Sequence, residues 1–232
     1  MNNFQKKCRR ILSNPTPYFR FIYQEYLRLK SEAVHKLAPF SFLDDKLNIE
    51  HNFYKIFSYR LRTKSPSTFN EKIQWLKLYE RNPLFILLAD KYKVRSYVEE
   101  KIGSDYLVPL YQVCKTTNQI NWSQLPEKFV LKPNHGAGCV ILCNNFETFN
   151  KNNAIQIMNN WMKTNFYHIS REWQYKNIQP RILFEEYLMG DPDVGLLDYK
   201  FFCFDGQPEL IQVNTDRYTN HSLLFYDIEW KQ

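Results

Sequence analysis

Apolar residues recur at helical spacing in the first part of the chain, and strand-like apolar runs dominate the second part. Between Tyr18 and Lys30 the apolar side chains fall three and four positions apart, which predicts an amphipathic helix. We interpret this helix as packed on the body of the protein, with attachment to a membrane surface as the alternative. Residues 31–52 show no clear period, and Asp44-Asp45 is expected to mark a break there.

Two further helices are predicted ahead of the first strand. The pattern Thr68-Phe-Asn-Glu71 has the residues of a capping box and predicts a helix over Glu71–Glu80. A second helix is expected over Leu84–Leu88, with a continuation through Tyr97 to Ile102 as an option, and Gly103 provides a stop signal.

A glycine-containing loop separates two short apolar runs in the middle of the chain. The runs are Phe129–Leu131 and Cys139–Cys143, and the loop between them is Pro133–Gly138. Runs rich in strand-forming residues with a short loop between them predict a β-hairpin. Walker and Rossmann loops open a helix, so this loop is neither of those nucleotide sites. It is either an ordinary hairpin turn or a backbone-amide loop that folds over a phosphate.

The rest of the chain adds one helix and three strands. The helix is expected over Ala154–Phe166, and the strands are expected over Arg181–Leu188, Asp198–Phe204 and Glu209–Asn214. Asp205-Gly206 is a strong signal for a hairpin turn between the last two strands. Helices followed by a mainly antiparallel sheet predict the α+β class. We divide the chain into a basic helical lead-in (1–64), a helical or mixed part (65–128) and a strand-rich core (129–232).

The positive charge of the chain is concentrated at its N-terminal end. The net charge is +7. Residues 1–64 contain 13 Lys and Arg against 5 Asp and Glu, a balance of +8, and the remainder contains 18 against 19, a balance of −1. Because no nucleic-acid motif accompanies this charge, we expect no nucleic-acid partner. The basic end is instead expected to contact an acidic membrane surface or an acidic polymer.

The cysteines and the N-terminus suggest a cytoplasmic protein. The chain has 5 Cys, an odd number at irregular spacing, which argues against a disulfide framework. The first residues lack an apolar segment followed by a cleavage site, so no secretory signal is expected. The location predicted from these features is cytoplasmic, with peripheral membrane contact as an option.

Lysines on separate strands are the first candidate chemistry. Lys132 precedes the glycine loop and Lys200 lies on a later predicted strand, so together they could neutralise a polyphosphate at two places. Lys91 and Arg95 would share one face of the predicted second helix and could reach one anion, or they could simply be solvated. A lysine on a strand is also often an ordinary edge or surface residue.

The end of the strand that precedes Met189 is the second candidate. The backbone of Phe184–Leu188 could hydrogen-bond to the edge of an adenine, which leaves Asp191 or Asp193 for the ribose hydroxyls or the exocyclic amine.

Several separate segments, taken together, resemble the ATP-grasp enzymes and within them the teichuronopeptide-biosynthesis (TupA-like) family. The matching segments are Thr68–Tyr79, Ala89–Tyr92, Phe129–Gly138, Arg171–Ile178, Glu185–Leu188 and Asp198–Gly206. The resemblance extends over about residues 55–230. It implies an ATP-binding cleft between two α+β lobes and a reaction in which a carboxylate is activated by the γ-phosphate of ATP and attacked by an amine.

The resemblance also implies a set of nucleotide contacts. Lys132 would contact the α- or β-phosphate, and Lys200 would approach the phosphates from a facing strand. The other implied nucleotide-binding residues are Lys91, Asn134, His135, Gly136, Gly138, Glu185, Glu186, Leu188, and Asp191 or Asp193. ATP and Mg²⁺ are the implied cofactors, and a small-molecule or polysaccharide carboxylate is the implied acceptor.

The magnesium ligands are the part of the family pattern that the sequence does not match. ATP-grasp enzymes hold magnesium on late strands, and we expect the C-terminal part of that fold to be missing here. Asp216, Asp227 and Glu229 have no matching family position.

The leading hypothesis from the resemblance is an ATP-dependent carboxylate–amine ligase of bacterial cell-surface polysaccharide synthesis. The alternative is a weakly active or inactive module that binds ATP or polymer.

Overall fold

The computed structural model describes residues 45–191, 195–215 and 222–232. The described chain forms two compact units. Unit 1 contains residues 45–97, 134–138 and 162–180, and unit 2 contains residues 98–133, 139–161 and the described residues from 181 onward. The predicted helix over Tyr18–Lys30 and the residues Asp193 and Asp216 lie outside the described residues.

The described part of the chain mixes helices with antiparallel strands, which confirms the α+β class. Its α-helices are α1 (Asp45–Phe57), α2 (Phe69–Tyr79), α3 (Leu84–Ala89), α4 (Val94–Ile102), α5 (Lys151–Lys163) and α6 (Tyr167–Ser170). Its strands are β1 (Leu110–Cys114), β2 (Phe129–Pro133), β3 (Ile141–Cys143), β4 (Ile182–Glu186), β5 (Asp198–Phe204), β6 (Gln207–Thr215) and β7 (Ser222–Tyr226). In the same part, no helix is both long enough and apolar enough to cross a bilayer.

Helix α2 in unit 1 begins with the predicted capping box. The Glu71 backbone N–H donates to Thr68 Oγ1 at 3.3 Å, and Glu71 Oε2 accepts from the Thr68 N–H at 3.0 Å. Arg62 Nε also donates to Glu71 Oε1 at 2.7 Å, and this contact is the main reason why the pKa of Glu71 lies below its usual range. The Glu71 carboxylate is therefore a structural anchor that joins the start of α2 to the chain before it.

The helix predicted over Leu84–Leu88 is confirmed as α3, but its optional continuation to Ile102 is wrong, because a turn separates α3 from α4. Asp90 has an extended backbone (φ −80°, ψ 104°), and its Oδ1 accepts the N–H groups of Tyr92 and Lys93. A short acidic side chain competes in this way with the helical ladder and holds the turn that leads into α4. The predicted stop is confirmed, since α4 ends at Ile102 and Gly103 has φ +100°.

Helix α1 was not predicted, because the pattern of residues 31–52 shows no clear period. The described chain is helical from Asp45 onward, and Ile49 and Phe53 on one face are buried with Leu61. Only two residues of this helix are buried, so its apolar stripe is too narrow for the sequence pattern to reveal it.

Unit 2 contains a four-stranded antiparallel sheet in the order β1-β4-β2-β3. The predicted hairpin is confirmed, since β2 pairs with β3 through Leu131 and Ile141. The second strand is shorter than predicted, and Cys139 lies outside it. Strand β4 is likewise shorter than the predicted Arg181–Leu188, and α5 begins three residues before the predicted Ala154.

The core of this sheet is aromatic. Phe129 and Phe184 have no exposed surface, and their ring centroids lie 6.0 Å apart. The rings of Trp122 and Phe149 pack on them at centroid distances of 6.1 Å and 5.4 Å respectively. Burial of such large rings makes a large favourable contribution to folding, so this cluster anchors the strands that carry Lys132 and Glu185.

A second sheet in unit 2 has the order β5-β6-β7. The predicted hairpin between its first two strands is confirmed, and Asp205 (φ 50°) and Gly206 (φ 79°) both have the positive φ that a type I′ turn requires. Strand β7 was not predicted. Ile211 and Val213 in β6 are buried, whereas Phe201 in β5 is 56% exposed.

Candidate functional site

The glycine loop that follows β2 belongs to unit 1 and divides into a buried part and an exposed tip. Asn134, His135 and Gly136 are buried, and Ala137 and Gly138 are exposed. Gly138 has φ +74° with no heavy atom near the place where a Cβ would lie. The tip therefore carries no side chain larger than a methyl group, so an anion can approach its backbone closely.

The side chains of the buried part hold the loop in place. Asn134 Nδ2 donates to Asp90 Oδ1 at 2.9 Å and to the Gln179 carbonyl at 3.0 Å. The His135 ring places Nδ1 3.1 Å from Asn134 Oδ1 and Nε2 3.2 Å from the Thr164 carbonyl oxygen. Asn134 and His135 were predicted to bind the nucleotide, and in the structure both side chains make internal hydrogen bonds.

Lys91 lies beside this loop. Its backbone N–H donates to the Asn134 carbonyl at 3.0 Å, and its Nζ donates to the Gly136 carbonyl. The structure thus brings together two of the predicted features, Lys91 and the loop, which are more than forty positions apart in the sequence. The geometry is not the predicted one, because Lys91 lies in the turn before α4 and does not share a helical face with Arg95.

The second pair of predicted residues lies on the four-stranded sheet of unit 2. Lys132 Nζ forms an ion pair with Glu185 Oε2, and the side chains are 24% and 8% exposed. In the β2–β4 register Val130 is opposite Glu185 and Lys132 is opposite Leu183, so Lys132 and Glu185 are diagonal neighbours. Lys132 was predicted to contact the phosphates and Glu185 to lie in the adenine region, and their ion pair was not predicted.

Strand β4 ends one residue after Glu185. The Glu186 N–H donates to the Pro109 carbonyl at 3.0 Å, and Glu186 is the last residue of β4. Leu188 is exposed, and Asp191 is an exposed residue that forms an isolated backbone bridge with Gly195. The backbone around Leu188 therefore has left the sheet before the predicted ribose candidate Asp191.

Lys200 lies in β5, in the other sheet of unit 2. It is exposed and is opposite Gln212 in β6. The two lysines that the sequence analysis placed on separate strands are thus on separate sheets, one in an ion pair and one on an exposed strand.

No preformed cluster of metal ligands is present among the described residues, where no group of three His, Cys, Asp or Glu side chains could hold an ion. Asp227 Oδ1 accepts the N–H groups of Glu229 and Lys231 at 2.9 Å each, so this carboxylate caps a local turn. Magnesium that arrives with a nucleotide needs only one or two protein carboxylates, since phosphate oxygens and water supply the other ligands.

Asp90 was not predicted as a residue of the site, although it lies in the segment Ala89–Tyr92 that carries the family resemblance. Its side chain contacts the first residue of the glycine loop. The signal that could have found it is the N-cap pattern, in which an acidic residue comes shortly before a helical run. Its contact with Asn134 needs the fold, because it joins residues from distant parts of the chain.

Comparison with known proteins gives one match. A family model described as TupA-like ATPgrasp matches residues 71–232, which is more than two thirds of the chain. The match begins within α2 and covers all the strands described above. Searches among curated proteins and among solved structures find no match.

Proposed function

Because the chain belongs to the TupA-like ATP-grasp family, we propose that it is an ATP-dependent carboxylate–amine ligase. The family match supports nucleotide binding and ligase-type chemistry. The observation that carries the proposal in this structure is the contact of Lys91 with the glycine loop, which places an ammonium group beside an exposed backbone tip. An ammonium group and free backbone amides are the groups that bind phosphate.

The proposed reaction has two steps. A carboxylate oxygen of the acceptor attacks the γ-phosphorus of ATP, the bond to the bridging oxygen breaks, and ADP leaves. The amine then attacks the acyl carbon, the amide bond forms, and inorganic phosphate leaves with the carboxylate oxygen it received. Phosphoryl transfer of this kind depends on positioning and charge neutralisation, so it requires no protein nucleophile.

We assign the phosphates to two lysines and to the loop. Lys132 contacts the α- or β-phosphate, and its ammonium group leaves Glu185 or shares it when the nucleotide binds. Lys91 and the tip of the loop (Ala137–Gly138) are further proposed phosphate contacts. Asn134 and His135 contribute by holding the loop, since their side chains are buried and hydrogen-bonded. Lys200 remains a proposed phosphate contact.

We assign the nucleoside to the end of β4. The backbone beyond Glu186 and the exposed Leu188 offer an edge and an apolar surface for adenine, and Asp191 or Asp193 is the proposed ribose contact. Magnesium, when bound, would neutralise the negative charge that develops on the phosphates during transfer. Asp191 is an exposed carboxylate of suitable chemistry, and such a hard oxygen donor is what magnesium prefers.

The acceptor that we propose is a uronic-acid carboxylate of a bacterial cell-surface polysaccharide, and the amine is that of an amino acid. This substrate class comes from the family resemblance alone. The proposed location is the cytoplasm, where ATP is available, and the basic segment 1–64 is the proposed contact with an acidic polymer or membrane face. Removal of residues 1–30 should then weaken binding to anionic vesicles. Unchanged binding would rule out the contact with a membrane face.

The experiment for the central proposal measures both binding and turnover. Purified protein with Mg-ATP should release ADP and phosphate only when a uronic acid and an amino acid are both present. ATP binding without turnover for any acceptor would favour the alternative, a module that only binds nucleotide or polymer.

The matched substitutions are Lys132→Met and Lys128→Met, since Lys128 is an exposed lysine of the same segment. Loss of an ammonium group next to a phosphate should raise the Kd for ATP about 100-fold in the first variant. The second should bind like the parent protein. Lys132→Met leaves the Glu185 carboxylate unpaired and nearly buried, which could prevent folding. The double variant Lys132→Met/Glu185→Gln removes that charge as well and so provides a folded protein for the measurement. Equal ATP affinity of both lysine variants would reject the assignment of Lys132.

A further inference from the structure

Asp90 is a buried carboxylate with more contacts than a helix cap requires. It is 2% exposed, and its Oδ1 accepts three N–H groups: the Tyr92 backbone at 2.9 Å, the Lys93 backbone at 3.2 Å and the Asn134 side chain at 2.9 Å. The first two hold the turn that leads into α4. The third comes from the first residue of the glycine loop and has no role in capping.

Neighbouring hydrogen bonds extend this contact. We call the whole set the seam, and its residues are Asp90, Lys91, Asn134, Gly136 and Gln179. The Lys91 N–H donates to the Asn134 carbonyl at 3.0 Å, and the Lys91 ammonium group donates to the Gly136 carbonyl. The second N–H of the Asn134 amide donates to the Gln179 carbonyl at 3.0 Å, so the amide cannot turn without loss of a hydrogen bond. The seam thus fixes both the backbone of Lys91 and the start of the loop.

We propose that Asp90 is the positioning residue of the nucleotide site: it holds Lys91 and the glycine loop in one arrangement before the phosphates arrive. This inference rests on the proposed function, because it assumes that Lys91 and the loop bind phosphate. A loop that is already ordered loses less conformational entropy when a ligand binds, so preorganisation appears as affinity. Asp90 acts through Asn134 and Lys91 and does not itself touch the nucleotide.

The chemistry of the site favours a carboxylate at this position. Three N–H groups converge on one oxygen atom, and a hydrogen bond to an ionised acceptor is stronger than one to a neutral acceptor. A serine side chain would accept the N–H groups of the turn before α4 about as well as an aspartate. Its hydroxyl group, however, is one bond shorter and would not reach Asn134. Asp90→Ser therefore separates the two roles of this residue.

The test compares Asp90→Ser with Thr68→Ala, a variant that removes the helix cap of α2 elsewhere in the same unit. Titration calorimetry with ATP and with adenosine provides the two readouts. We expect Asp90→Ser to raise the Kd for ATP about tenfold and to change that for adenosine less than twofold, since the seam contacts only the phosphate-binding loop. Thr68→Ala should change neither. An unchanged Kd for ATP in Asp90→Ser, or an equal loss of affinity for ATP and adenosine, would overturn the proposal.

A second variant keeps the proposal testable if Asp90→Ser does not fold. Asn134→Ala breaks the seam from the other side and leaves the bonds of Asp90 to Tyr92 and Lys93 intact, so it should weaken the binding of ATP and not that of adenosine. Combining both substitutions should cost no more affinity than Asn134→Ala alone, because that variant already lacks the contact with Asp90. Additive losses would count against a shared seam.

The outcomes also separate this inference from the function on which it rests. If the parent protein does not bind ATP, the proposed function fails and the inference fails with it. If the parent binds ATP and Lys132→Met does not, while Asp90→Ser and Asn134→Ala bind normally, only the role of Asp90 is rejected.

Discussion

The two sheets of unit 2 are built from similar residues, but they differ in burial. In the four-stranded sheet Phe129, Leu131 and Phe184 have no exposed surface. In the three-stranded sheet Tyr199 and Phe201 are 47% and 56% exposed. Phe and Tyr are common in both, so the composition of a strand does not decide whether its side chains are covered. The aromatic cluster around Trp122 packs on the first sheet and makes the difference.

Burial also determines what a charged side chain can do on each sheet. Lys132 is paired with a carboxylate that is almost enclosed, whereas Lys200 lies on an exposed strand. Charges interact more strongly where water is excluded. We therefore expect the four-stranded sheet to carry the stronger electrostatic contribution to the proposed ATP site, and each of the following changes tests the contrast.

The largest expected difference concerns the aromatic side chains. Phe129→Ala removes a fully buried ring and should lower the free energy of unfolding by about 3–5 kcal/mol. Phe201→Ala removes a half-exposed ring and should lower it by less than about 1 kcal/mol. Urea denaturation followed by circular dichroism measures both values. Similar losses in the two variants would show that the exposed ring is covered in solution and that the contrast between the sheets is false.

The next difference concerns the carboxylates. Glu185→Gln leaves the Lys132 ammonium group without its charged partner and should destabilise the fold by about 1–2 kcal/mol, a modest value because Lys132 keeps some contact with water. Glu209→Gln on the exposed β6 is the matched control and should change stability by less than about 0.5 kcal/mol. Equal stability of the two variants would mean that the ion pair contributes nothing to folding.

A smaller effect is expected at the turn of the three-stranded sheet. Gly206 has φ +79° with open space around it, so Gly206→Ala introduces backbone strain without a steric clash. The expected loss is about 1 kcal/mol, detectable in the same urea experiment. The neighbour Asp205 already has positive φ, and Asp205→Gly should be neutral or slightly stabilising by the same argument. Loss of stability in Asp205→Gly would show that the Asp205 side chain contributes more to stability than relief of its positive φ does.

The elements that the sequence predicted correctly are those with a local signal. The capping box of Thr68 and Glu71, the stop at Gly103 and the turn at Asp205-Gly206 each depend on residues close together in the chain. The hairpin of β2 and β3 likewise follows from two apolar runs and a short loop. The optional continuation of the helix past Leu88 was wrong, because Asp90 lies inside a helical pattern and yet its side chain holds the turn that separates α3 from α4.

The candidate site was predicted only as a set of residues and not as an arrangement. Lys91, Lys132 and Glu185 were singled out from their chemistry and from the family resemblance. That Lys132 pairs with Glu185 depends on the register of β2 against β4, which no pattern within either strand determines. Asn134 and Asp90 are 44 positions apart in the sequence, so their hydrogen bond depends on how distant parts of the chain fold together. Long-range pairings of this kind are properties of the folded chain.

The last test of the contrast between the sheets changes no residue. Cys143 at the end of β3 and Cys114 at the end of β1 are buried, whereas Cys203 on β5 is exposed. Burial raises the pKa of the Cys114 and Cys143 thiols, so at a given pH fewer of them are the reactive thiolate, and the enclosed sulfur is also hard to reach. Iodoacetamide at pH 8, with mass spectrometry of each cysteine peptide, should therefore label Cys203 first and the two buried thiols only after denaturant is added. Raising the pH should speed the labelling of Cys114 and Cys143 only slightly while the fold persists, because access limits the reaction as well as ionisation. Rapid labelling of Cys143 in the native protein would show that the edge of the four-stranded sheet opens, and Lys132 on the adjoining β2 would then lie in a less protected environment than the structure indicates.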